Sequence, residues 1–87
     1  MGFRKLQGVQ LTEEKQGFIR YMCLNEESLP TRMREKIRRH CDTVGGAYTD
    51  ALWEAMCTNR SIRAIAMDHY ISESLLYRLR KKFYESW

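Results

Sequence analysis

Apolar residues recur along this chain at spacings of three and four, and polar or charged residues fill the positions between them. Leu11, Phe18 and Met22, widened by Ile19 and Cys23, make the first such stripe, the pattern of an amphipathic helix rather than of a strand. Thr12 stands ahead of it as a cap whose oxygen accepts from the free N–H groups of the first turn, with Glu13 and Glu14 at the positive end of the dipole. Gly17 falls inside the pattern and weakens it. The stretch Leu24 to Pro30 breaks the chain, and Pro30 suits a first helical turn, where its missing N–H costs nothing. A second helix, from about Pro30 to Val44, carries Met33, Ile37, Cys41 and Val44 on one seam. Gly45-Gly46 ends it, since glycine enters the left-handed C-terminal conformation without strain. A third, about Ala47 to Cys57, turns Tyr48, Leu52, Ala55 and Met56 inward, and Thr58 to Ser61 connect it to the next element with Ser61 as cap.

The last third packs two short helical patterns around a tight join at Tyr70-Ile71. Ile62, Ile65 and Ala66 face inward from the first of the pair, and Ala66 is small enough to let a second helix cross closely. Ile71 plugs the join, Ser72 caps the following helix, and Leu76, Leu79 and Phe83 form its inner face. This register predicts a helix-turn-helix over residues 61–85 and leaves Ser72, Glu73, Ser74, Tyr77, Arg78 and Lys81 pointing outward from the second helix. Those residue types suit a DNA groove. Arg78 can donate two hydrogen bonds to guanine, and Glu73 can accept from cytosine. Ser72 and Ser74, with the N–H groups at the helix start, can hold a phosphate, and Tyr77 can touch phosphate or a thymine methyl. Arg80, Lys81 and Lys82 supply charge that displaces counterions.

The stretch SIRAIAMDHYISESLLYRLRKKFYESW, 27 residues, resembles the helix-turn-helix of small bacterial, phage and mobile-element regulators. Within it, ISESLLYRLRKKF is similar to the recognition helix of tetracycline-repressor-type regulators and to transposase or sigma-type DNA readers. The resemblance implies sequence-specific duplex binding through Ser72, Glu73, Ser74, Tyr77, Arg78 and Lys81. One position departs from the pattern: Tyr70 stands where a glycine is usual, so it either takes a left-handed conformation or the turn is of another kind.

A second basic cluster sits on the second helix, where Arg32, Lys36 and Arg39 share a face opposite the Met33–Ile37–Cys41 seam. It reads equally as a second phosphate-gripping strip or as a solvated surface. The chain of 87 residues carries a formal charge of +4, and with a pI near 9.2 a polyanionic partner is consistent with it. That length makes one helical domain, 1–87, an all-α compact bundle of about five helices with a C-terminal helix-turn-helix. No apolar run approaches the roughly 18 residues of a membrane span, and the N-terminus lacks the apolar stretch of a signal peptide. Gly2 does not make a myristoylation signal, because position 6 is Leu rather than Ser or Thr.

Three cysteines, Cys23, Cys41 and Cys57, are odd in number and have no C-x-x-C pair, which argues for a reducing cytoplasm over a secreted disulfide framework. They and His40 or His69 lack zinc-finger spacing, and the cysteines fall on apolar seams as small hydrophobes, so no metal is expected and no cofactor either. His69 is expected as a packed, hydrogen-bonded residue, and Trp53 and Trp87 as core or dimer contacts. With no nucleophile–base arrangement and no phosphate loop, the chain is expected not to be an enzyme. The leading expectation is a regulator of transcription that binds double-stranded DNA as a homodimer or with a larger host protein. The alternative is a protein-interaction module on the same fold, such as a phage inhibitor of a host nucleic-acid enzyme like a CRISPR nuclease, or an RNA polymerase-binding factor.

Overall fold

The computed structural model describes residues 12–87; Leu11 of the first stripe lies outside them. Helix α1, Glu13–Leu24, starts where Thr12 accepts at 3.1 Å from the Lys15 N–H, with Glu13 and Glu14 in its first turn. Asn25 closes it, its Nδ2 donating to the Tyr21 carbonyl at 2.8 Å. A 3-10 turn, Glu26–Ser28, leads through extended Leu29 to Pro30, the N-cap of α2, Thr31–Gly45. The salt bridge from Arg34 Nε to Glu26 at 3.1 Å ties that turn to the start of α2.

Helix α2 runs one residue past the expected stop. Gly45 stays helical and buried, because any Cβ there would sit 3.3 Å from Leu52 Cδ2, and Gly46 alone takes the positive φ of 54°. A 3-10 turn, Gly46–Tyr48, then delays α3 to Thr49–Cys57, and Tyr48, expected inside, stays at the surface. Helix α4, Ile62–Asp68, is seven residues, and α5, Glu73–Ser86, is fourteen. Where about five helices were expected, the described residues form four of nine residues or more, plus the two-turn segment α4.

Helix α3 sits at the centre and serves two apolar clusters from different faces. Leu52 and Met56 join Ile19, Cys23, Ile37, Cys41, Leu79, Phe83 and Tyr84 from α1, α2 and α5. Ala51 and Ala55, a quarter-turn away, meet Ile62, Ile65 and Ala66 of α4 and Leu76 of α5. Small residues on that face let α4 lie close to α3, as expected of packing governed by side-chain volume. Helix α5 belongs to both clusters and so holds the two halves together. On α1 the buried face is Gln16, Ile19, Met22 and Cys23. Phe18, placed in the core stripe by its spacing, is 62% exposed instead. It precedes Ile19 by one residue, a rotation of about 100° around the helix, which carries it off the contact.

Candidate nucleic-acid interface

Ser61 opens α4 by accepting from the Ala64 N–H at 3.1 Å. Ile62, Ile65 and Ala66 are buried behind it. The helix ends in a double closure: the Tyr70 N–H reaches Met67 O at 3.3 Å and the Ile71 N–H reaches Ala66 O at 3.0 Å. This is the Schellman arrangement, which requires a left-handed residue at the position Tyr70 occupies, and its φ is 56°. Of the two possibilities raised by the missing glycine, the left-handed conformation is the one adopted. The phenol pays no packing role there, being 95% exposed, while Ile71 folds back over the second cluster.

Ser72 then caps α5, accepting from the Leu75 N–H at 3.0 Å. One lone pair of its oxygen is used in the cap, which leaves its hydroxyl proton available to donate to a ligand. Leu76, Leu79, Phe83 and Tyr84 face inward. The period of the helix therefore turns Glu73, Ser74, Tyr77, Arg78, Lys81 and Lys82 to the surface, where all of them and Ser72 are exposed. Arg80 departs from this group. It is half-buried, its guanidinium lies 5.2 Å from the centre of the Tyr77 ring, and desolvation lowers its pKa.

The end of α4 is fastened by a polar cluster that sequence reasoning missed. Arg60 Nη1 donates to Glu54 Oε1 at 2.6 Å, Arg60 Nη2 pairs with Asp68, and His69 Nε2 pairs with the second oxygen of Glu54. His69 is thus the hydrogen-bonded histidine expected. The His69 hydrogen bond, then that of Arg60, holds the Glu54 carboxyl below its ordinary range. Glu54 lies 15 residues before His69, and no local pattern joins them. Arg20 was also overlooked: its guanidinium reaches Ala55 O at 2.6 Å, Met56 O at 2.7 Å and Thr58 O at 3.0 Å, capping α3.

Arg32, Lys36 and Arg39 are exposed on α2, opposite buried Ile37 and Cys41. Their edge adjoins α5. Lys36 Nζ lies 4.2 Å from the centre of the Trp87 ring, and His40 Nε2 donates to Phe83 O at 2.9 Å. Thr43 and Val44 line a shallow groove with Lys82 and Ser86. Lys36 from the α2 set and Lys82 from the α5 set thus lie along this seam, with Glu85 also lining the groove beside Lys82. Trp87 stacks at 28° on Phe83, and Arg38 covers Trp53 at 4.5 Å, so both tryptophans pack within the chain.

Cys23 and Cys41 are buried and Cys57 half-buried. Burial pushes the Cys41 thiol up to about 12, and a hydrogen bond with Cys23, then burial, raises Cys57. Thiols held protonated in this way are weak nucleophiles and weak metal ligands. Among the described residues, no three His, Cys, Asp or Glu side chains gather around a metal-sized space, and no helix is long and apolar enough to cross a membrane. Compared with family models, curated proteins and solved structures, the chain matches none.

Proposed function

We propose that this chain is a small DNA-binding protein of the helix-turn-helix kind, a regulator of transcription from a phage or other mobile element that acts on duplex DNA as a homodimer. The observation that carries the reading is the exposed polar and basic face of α5, with Ser74, Tyr77, Arg78 and Lys81 outward, set on a short helix pair whose join is closed by Ile71 and Ser72. Such a face presents a fork for guanine, hydroxyls for phosphate and charge for counterion release. Arg32, Lys36 and Arg39 extend the charge along the neighbouring helix. One short recognition helix reads too few base pairs for useful affinity, which is the reason to expect a second copy on a two-fold site.

The test is a mobility-shift titration on duplexes selected from a random library, across a salt series. Arg78→Ala should cost about 1–3 kcal/mol and relax preference at one base, whereas Lys82→Ala should weaken every sequence alike and flatten the salt slope by about one. If both variants hold every duplex as tightly as the parent, the reading is wrong. A rival, a protein-interaction module, draws on Phe18 and Tyr21, which are 62% and 66% exposed on α1. It predicts no shift of any duplex at low salt, and loss of a protein partner on Phe18→Ser.

A further inference from the structure

Of the cations on α5, Arg80 is the one drawn partly out of solvent, the other three being exposed. Its Nε is shut off from solvent and has no hydrogen-bond acceptor. The ion pairs among the described residues join Arg34 to Glu26, Arg60 to Glu54 and Asp68, and His69 to Glu54, and none includes Arg80. Desolvation lowers its pKa, and of its neighbours the Tyr84 phenol raises it while the Arg20 guanidinium lowers it. Arg20 cannot swing away, because it is anchored on three carbonyls at the end of α3. The Tyr77 ring forms a shelf for the Arg80 plane, and the buried Tyr84 phenol lies beside it.

A half-buried cation whose Nε is shut off from solvent without an acceptor is costly to the folded chain unless an anion joins it. The anion that fits is set by shape. A guanidinium supported on one face by an aromatic ring directs its N–H fork sideways, and two parallel N–H groups match the oxygens of a phosphate. Tyr77, Arg78 and Lys81, next to it on α5, border the exposed face. We propose that Arg80, shelved on Tyr77 with its Nε lacking an acceptor, is a preformed site for one phosphate group of a nucleic-acid backbone. The proposal rests on the reading of α5 as a DNA-contacting helix and gives that helix an anchoring point on its α1 side. Arg80 would then fix the register in which Arg78 meets a base.

The experiment follows the Arg80 Nε–H resonance in the 15N-labelled full chain, since a shielded Nε–H exchanges slowly enough to be seen. Inorganic phosphate, free glutamate and a random-sequence duplex are titrated separately. Arg80→Lys and Arg80→Met are compared with the parent for duplex affinity and for Tm. Phosphate should move the resonance at millimolar concentration, and the duplex should move it at far lower concentration. Arg80→Lys keeps the charge but loses the fork, and should bind duplex about tenfold more weakly. Arg80→Met should bind more weakly still, with a Tm equal to or above that of the parent, which a purely structural arginine would not give. If the parent binds duplex while the resonance stays put and Arg80→Met binds as well, the phosphate site is refuted and the DNA reading survives. If the parent binds no duplex at all, the DNA reading fails and takes the backbone source with it, even where free phosphate moves the resonance. A response to glutamate matching that to phosphate, with none to duplex, would assign the site to a protein carboxylate and overturn the proposal.

Discussion

Tyr70 shows how one residue can set a turn against its own preference. Its φ of 56° lies where an L side chain meets the following carbonyl, at a cost of about 1–2 kcal/mol. The conformation persists because two N–H groups, those of Tyr70 and Ile71, must reach the carbonyls of Met67 and Ala66, and because Ile71 must land on the second cluster. The ring itself contributes no burial at 95% exposure. Tyr70→Gly removes the strain and gives back part of that gain as unfolded-state entropy, so it should raise stability by about 0.5–1 kcal/mol in urea unfolding. A lower midpoint would mean that the ring does hold the turn. The sequence showed the conflict at this position, a bulky residue where glycine is usual. Which side yields depends on contacts made by Ala66 and Ile71, not on Tyr70.

At the scale of the element, α3 is defined by what surrounds it. Its nine residues, Thr49–Cys57, are too few to be stable alone, and helices of that length take their stability from packing. Its C-terminal carbonyls are closed from outside by Arg20, 35 residues earlier. Arg20→Met keeps most of the stem and removes charge-assisted hydrogen bonds to Ala55, Met56 and Thr58, which should destabilise the chain by about 2–3 kcal/mol in urea unfolding. A loss below about 0.5 kcal/mol would show that water closes these carbonyls equally well. The helices' own starts were legible, since Thr12, Ser61 and Ser72 each cap the helix that their position predicts. Less local features were not. Phe18 and Tyr48 fit an inward spacing, yet a neighbouring residue took the contact in one case and a 3-10 turn rotated the other outward.

Across the whole molecule, Glu54 is the polar joint between the central helix and the α4–α5 pair. Its carboxyl gains hydrogen bonds from His69 first and Arg60 second, so its folded pKa lies below the ordinary 4.5. A depressed carboxylate contributes stability that is fully present above the unfolded value and lost as pH falls through the folded one. Glu54→Gln should therefore lower Tm at neutral pH, and the gap to the parent should close as pH drops below about 4.5. A gap of constant size down to pH 3 would show that shape, not charge, carries the contribution. The same joint bears on function, because it holds the end of α4 and with it the turn into the exposed helix.

The all-helical class, the order of the helices, their caps and the inward set Ile37, Cys41, Leu52, Met56, Leu76, Leu79 and Phe83 were written in the sequence alone. Each depends on neighbours within about one turn, where spacing and capping chemistry act directly. Tertiary structure decided the rest: the burial of Gln16, the reach of Arg20 and Glu54 to distant partners, and the turning of Arg80 from the solvated face to the shelf of Tyr77. Those outcomes depend on which surfaces meet when the helices pack, and the charge felt by a side chain then comes from residues far away in the chain. For Arg80 that difference matters most, because the same residue type reads as one more solvated cation along the sequence and as a cation lacking an anion in the fold.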